Sequence, residues 1–278
     1  RGIQYVTTPI VVFSDCNTML NKDCLKEIVK MFNHEKTGCV AGEKRVLQNS
    51  TKGAAGYGEG FYWKYESRLK QWESKLGSTV GAAGELFAIK TDLFTKAPKD
   101  TILDDFVISI NILKKGYCIK YTPNAYAIES ASVNVQEEMK RKIRIACGSI
   151  QTMFRHTDLL NPFKHGLFSL FYISHKVLRW TIIPFSFPIL YILNFWLILS
   201  PSHALFKYLF ILQNMFYLVY FLGMLLEKKD LKKRRFLFIP YYLLTMNISM
   251  IKGYFRYFAK KQSVNWEKAN RSITKVGK

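Results

Sequence analysis

The chain has 278 residues, enough for one large domain or two small ones with a substantial core. It carries 41 Lys+Arg against 20 Asp+Glu, a formal charge of +21, yet 49% of it is hydrophobic and 15% aromatic, which excludes a disordered basic tail. The apolar residues crowd toward the C-terminal end, favouring an anionic membrane surface over nucleic acid as partner. The five cysteines (Cys16, Cys24, Cys39, Cys118, Cys147), odd in number and without a Cys-x-x-Cys pair, argue against a disulfide framework and a zinc site.

The chain opens on Arg1 rather than Met, shows no signal peptide and reads as a fragment lacking its N-terminal part. Residues 9–13 (PIVVF) form an apolar run expected of a buried strand, which ends in "SDCN", so Asp15 and Asn17 stand where the turn begins. Asn21 is placed to cap a helix with Leu25, Ile28, Val29 and Phe32 on its buried face, and a strand is expected over 39–47. Strand, helix and strand at this spacing predict a βαβ unit and a mostly parallel sheet covered by helices. "GEGFYWKYESRLKQWESKLG" predicts a long helix with Phe61, Tyr65, Leu69, Trp72 and Leu76 along one side and Gly77 at its end. "GAAGELFAIKTDLF" is a small-residue loop running into a strand and a short helix. "ILDDFVISINILKKGYCIKYTP" places Asp104 and Asp105 before an amphipathic helix that Gly116 stops, and a basic helix over 135–155 closes this half.

From Gly166 the pattern changes. Residues 166–179, with His175, Lys176 and Arg179 among Phe and Leu, suit a helix lying in a membrane interface. Residues 180–199 and 208–226 carry no charge; the first, and a segment at 204–226 containing the second, are each long enough to cross a ~30 Å hydrocarbon core. "SPSH" (200–203) begins the link that makes them a hairpin. A third apolar segment, 236–255, precedes a basic tail and is either spanning, re-entrant or interfacial. Basic residues before the hairpin (Lys140, Arg141, Lys142, Arg144) and after it (Lys228, Lys229, Lys232, Lys233, Arg234, Arg235) put both flanks in the cytoplasm. The expected division is therefore 1–160, part of a cytosolic domain, and 161–278, a multi-pass region in the inner (plasma) membrane.

Each chemical signal has an ordinary alternative. Asp15 suits a turn that needs its amides satisfied, or a metal. Asp104 and Asp105 sit where a helix cap belongs. Arg141 and Arg144 fit a solvated or headgroup-facing surface, and Trp63 and Tyr62 fit either a helix core or a sugar-stacking wall.

In sequence, Asp-x-Asn at a strand end, the Gly-rich loop with an acid, Leu-Asp-Asp before a helix and Arg-x-x-Arg ahead of apolar helices resemble the membrane-embedded glycosyltransferases of family 2, the poly-N-acetylglucosamine, hyaluronan and cellulose synthase group. The resemblance runs from "VVFSDCNTML" to "NWEKANRS". It implies an incomplete GT-A fold (Rossmann-like, mostly parallel sheet) followed by interfacial and transmembrane helices, and a missing part holding the first strand and a uridine-binding Asp. It also implies an inverting transfer from a nucleotide-sugar, UDP-linked, to a growing polysaccharide or a glycolipid, with a lipid bilayer and no nucleic acid as partner. Asp15 would hold Mg²⁺ or Mn²⁺ to neutralise the leaving diphosphate, Cys16 being a departure from the family's Asp-x-Asp. Asp105 would be the base, with Asp104 in place of the family's Glu orienting it. Arg144 would bind phosphate and Arg141 replaces the family's Gln. Gly84 and Glu85 would line the acceptor pocket, with Asn17 and Trp63 also against substrate. Ile145 replaces the Trp that stacks on the acceptor in processive synthases. The alternatives are a non-processive transferase using a lipid-linked acceptor and a membrane-anchored basic binding protein without activity.

Overall fold

A computed structural model describes residues 2–47, 54–130, 132, 134–199, 204–226 and 235–263. The 200–203 link, the basic residues Lys228, Lys229, Lys232, Lys233 and Arg234, and "NWEKANRS" lie outside the described residues. A five-stranded sheet is built from β1 (Ile10–Phe13), β2 (Met19–Leu20), β3 (Thr37–Leu47), β4 (Phe87–Lys90) and β5 (Cys118–Ser130), in the order β1-β4-β3-β5-β2. Only β3 and β5 pair in parallel; β1–β4, β3–β4 and β2–β5 are antiparallel. The sheet is thus mixed, not mostly parallel. The expected crossover does exist, since β1 and β3 run the same way around α1 (Cys24–Lys30), but β4 inserts between them in the opposite sense.

Strand periodicity decides which side chains go where. Cys39, Ala41, Phe87 and Ile89 point to one face, where α3 (Asp104–Lys114) covers them with Ile108, Ile110 and Ile112. Val40, Leu86 and Ala88 point to the other, against Cys24 and Ile28 of α1. That helix buries Cys24 and Ile28 while Leu25 and Val29 are exposed, so its inner face is rotated from the expected one. Asn21 does not cap it. Its side chain accepts from Tyr126 N–H (2.8 Å) and donates to Asn124 O (3.0 Å), sealing the irregular stretch of β5 where the register against β3 shifts.

The largest reversal concerns α2 (Ala54–Lys75). Phe61, Tyr65, Trp72 and Leu76 face outward, while Glu59, Glu66, Lys70 and Glu73 are buried. The inward side is ionic because its partners are ionic. After α5 (Pro162–His165), the segment expected to lie flat in an interface (166–179) falls on α6 (Leu167–Phe171), a π-helical turn (Tyr172–Val177) and α7 (Leu178–Trp180). It turns His175 and Lys176 inward onto Glu66 and Glu73 instead of toward headgroups. Gly77 (φ +146°) ends α2 as expected, and Gly116 (φ +88°) follows α3.

The basic helix α4 (Val135–Arg155) packs against α10 (Arg235–Phe258), which also crosses α2. Glycines permit both approaches: a Cβ on Gly58 would sit 2.2 Å from the Tyr242 ring, and one on Gly253 would sit 2.4 Å from Ala146 Cβ. The third apolar segment is therefore docked on α4 and α2. Between them in sequence lie α8 (Ile182–Ile198) and α9 (Ala204–Leu226). They are joined by hydrogen bonds from Asn194 to Gln213 (2.9 Å) and from Tyr191 to Asn214 (3.3 Å). By length and composition α9 alone, among the described residues, can cross a membrane; residues 167–180 and α8 qualify only together, across a 52° bend.

Candidate active site

The antiparallel insertion of β4 creates the site. Phe13 pairs with Phe87 across β1 and β4. The chain leaving β1 at Asp15 and the chain entering β4 from Gly84 therefore lie side by side at one sheet edge. Ser14 Oγ donates to Glu85 O (3.3 Å), tying the two loops. A Cβ placed on Gly84 would lie 3.7 Å from Asp15 Oδ1 and 3.3 Å from Asp105 Oδ2. The two carboxylates thus look at each other across a residue with no side chain.

Asp104 and Asp105 form the first turn of α3, after Leu103 at the cap position, so neither is the cap. Asp105 Oδ1 accepts from Phe106 N–H (2.8 Å). Burial pushes the Asp105 carboxyl up to about 7; the Phe106 amide works against this, while neighbouring Asp104 and Glu85 add to it. The loop entering α3 is pinned from α4: Gln151 accepts from Ile102 N–H (3.0 Å) and donates to Asp100 O (2.8 Å). Gly148 gives that loop room, since a Cβ there would lie 2.7 Å from Leu103 Cγ.

Arg144, on the same helix, faces Asp105, Asp104 and Asp15. Burial lowers its guanidinium from the ordinary value, and the three carboxylates oppose the drop. Arg141, three residues earlier, is held by Glu138 (3.0 and 2.9 Å) and Glu59 (3.3 Å). Lys142 reaches Glu138 (3.6 Å) and lies over the Tyr62 ring, 4.6 Å from its centroid. Arg141, Lys142 and Arg144 thus belong to the interior of the site and do not face headgroups. Of the four basic residues before the hairpin that were used above to orient the chain, only Lys140 is well exposed.

Beneath the site Lys44 Nζ contacts Glu85 Oε1 and Glu129 Oε2, each at 2.5 Å, with Glu59 at 3.8 Å. Burial disfavours the Glu85 charge, but Lys44 overcomes it and holds that carboxyl down to about 2. Asn17 donates to Glu129 Oε1 (2.9 Å), so it braces the Asp15 turn against this network.

These residues surround a cavity of about 440 Å³. Asp15, Gly84, Glu85, Asp104, Asp105, Arg141, Arg144, Trp63 and Ile145 all line it; Asn17 does not. No group of three or more Asp, Glu, His or Cys side chains suited to a metal occurs among the described residues. Asp15 fits an ion only in the manner of Mg²⁺ or Mn²⁺ beside a nucleotide, with one carboxylate and the remaining positions filled by phosphate oxygens and water.

A family model described as glycosyl transferase family group 2 matches residues 10–248. The chain belongs to that family. No curated protein matches this chain. Among solved structures it resembles the mannosyltransferase PcManGT from Pyrobaculum calidifontis, determined with GDP-Man and Mn²⁺, at TM-score 0.60 and 20% identity. The match covers 94% of this chain and 65% of that one, and it shows the fold, that of a GT-A transferase.

Sequence reasoning missed the inner layer of the candidate site: Lys44, Glu59, Glu129 and Glu138, and on the far wall Glu66, Lys70, His175, Lys176 and Arg179. One signal was available. Glu59, Glu66, Lys70 and Glu73 recur at helical spacing, a stripe as regular as the aromatic one beside it.

Proposed function

We propose that the chain belongs to an inverting, metal-dependent glycosyltransferase, which moves a hexose from a nucleoside-diphosphate sugar to a saccharide acceptor at the inner face of the plasma membrane. The observation that carries this is the Asp15–Gly84–Asp105 arrangement with Arg144 facing it: a diphosphate side and a base side about one sugar apart. Asp105, held near neutrality, takes the proton from the acceptor hydroxyl. As the hydroxyl oxygen bonds to the anomeric carbon, the carbon–oxygen bond to the diphosphate breaks and the nucleoside diphosphate leaves. Attack from the face opposite the leaving group inverts the centre. Arg144 holds the departing diphosphate oxygens. A divalent ion on Asp15 would supply Lewis-acid neutralisation of the same group. Asp104 keeps the Asp105 carboxyl basic by its charge.

The bilayer reading rests on α8 and α9, whose apolar side chains are exposed almost all round. Both UDP- and GDP-linked hexoses are candidate donors, the second because the archaeal mannosyltransferase binds GDP-Man. The test is nucleoside diphosphate release by the full-length protein with UDP-glucose, UDP-N-acetylglucosamine and GDP-mannose, with Mn²⁺ or Mg²⁺. Release with one donor, abolished by Asp105→Asn, supports the reading. Release that Asp105→Asn leaves intact, or none with any donor, overturns it.

A further inference from the structure

The cavity has a second end that the transfer chemistry does not use. There α2 presents Tyr62, Trp63, Glu66 and Lys70, and the π-helical turn with α7 presents Lys176, Arg179 and Trp180. π-helical turns concentrate at functional sites. Trp180 packs edge-on against Phe106 (5.8 Å), the residue after Asp105, so this end adjoins the base.

Its charges do not balance. Glu66 receives Lys176 Nζ (2.6 Å), Arg179 Nη1 (2.9 Å) and the His175 ring (3.2 Å), and Glu73 receives the other His175 nitrogen (2.5 Å). Even with His175 neutral, two carboxylates face three fixed cations, Lys70, Lys176 and Arg179. The surplus falls on Lys70. It is only 5% exposed and lines the cavity, and among the described residues it has no hydrogen bond or ion pair; the Tyr121 ring lies 5.8 Å from its Nζ. Seven residues earlier on the same helix face, Trp63 Nε1 is buried without a hydrogen-bond partner among the described residues. An ammonium held in a largely enclosed cavity wall without a counter-ion is poorly compensated until a ligand supplies one.

We propose that this end of the cavity is an acceptor subsite for an oxyanion, a phosphate or a carboxylate carried by the acceptor close to its attacking hydroxyl, with Lys70 as its counter-ion and Trp63 Nε1 as a second donor. Lys176 and Arg179, already shared with Glu66, form its rim. The subsite rests on the transferase reading given above. Two acceptor chemistries carry such a group: a lipid-linked phosphate and a glycan ending in a uronic acid.

The test measures equilibrium binding of farnesyl phosphate and of a glucuronate-terminated disaccharide to the full-length protein in detergent. Farnesol and the neutral disaccharide are the controls, and UDP and GDP are titrated separately. Saturable binding of either anion but not of its neutral counterpart is expected, and whichever anion binds names the source. Lys70→Met should weaken that binding at least tenfold, Lys70→Arg should keep it within a few-fold, and nucleotide affinity should be unchanged in both. Lys70→Met without ligand should also unfold at an equal or higher temperature, since it removes an uncompensated charge from a largely enclosed wall; a purely structural lysine would give the reverse. The subsite is overturned if neither anion binds, if Lys70→Met binds them as wild type does, or if that variant is destabilised without ligand. Loss of nucleotide binding in wild type would instead sink the transferase reading alone.

Discussion

Phe13 stacks on Phe87 with ring centroids 4.7 Å apart and planes 9° from parallel. Through that pair the end of one strand and the start of its antiparallel neighbour are held level, so Asp15 and Gly84 arrive together. The chemistry assigned to Asp15, Gly84 and Asp105 depends on this alignment.

Asp105→Asn should reduce turnover by ~10²–10⁴-fold while nucleotide affinity stays within a few-fold, because the proton acceptor alone is lost. In the wild type kcat/KM should rise with pH and level off above about 7, since the carboxyl must be ionised to act and burial holds its pKa there. A profile flat from pH 5 to 9 would exclude Asp105 as the base.

Gly84→Ala places a methyl group 3.3 Å from Asp105 Oδ2 and 3.7 Å from Asp15 Oδ1. The fold should tolerate it, but the space for the reacting sugar should not, and displacements of ~1 Å cost up to ~10²-fold. Steady-state rates set beside thermal unfolding check this: wild-type kinetics in a folded variant would show that the reacting groups lie elsewhere.

Asp15→Ala should remove the dependence of nucleotide binding on Mn²⁺ or Mg²⁺ along with turnover. Titration of nucleoside diphosphate with and without chelator reads this directly. A variant still needing metal for binding would place the ion on other residues.

Lys44→Met leaves Glu85, Glu129 and Glu59 without their shared cation. Removing one partner of a buried ionic group typically destabilises by ~3–5 kcal/mol, so a large drop in chemical-denaturation midpoint is expected. An unchanged midpoint would mean that water, not Lys44, neutralises these carboxylates.

Ile145 lines the cavity, and the resemblance noted in the sequence matches it to the acceptor-stacking Trp of processive synthases. Aromatic stacking on a sugar is worth roughly 0.5–2 kcal/mol, and ~1.4 kcal/mol is tenfold in dissociation. Ile145→Trp should lengthen products at matched donor turnover, as sized on gels. Equal lengths would move the grip to Trp63, Tyr62 or the helices beyond.

The pieces of the site were legible because each lies on a short stretch with its own grammar: a strand ending on Asp15, a Gly-rich turn, two acids opening α3, arginines on α4. The sheet was less so. Local pattern tells that 87–90 is a strand, but not that it enters between β1 and β3 the other way round. Helix α2 was misread for a physical reason. Apolarity marks an inner face only when the partner is apolar, and the partners of Glu66 and Glu73 are His175, Lys176 and Arg179, over one hundred residues downstream. No window along the chain contains both sides of that contact.

That separation has a consequence for the order of events during synthesis. Chains emerge N-terminal end first, so α2 is made well before the residues that neutralise its inward carboxylates. Until the π-helical turn and α7 follow, Glu66 and Glu73 are better left in water than buried, and the wall of the cavity that α2 forms cannot close. The candidate cleft is thus completed only when the segment leading into the apolar helices has been delivered.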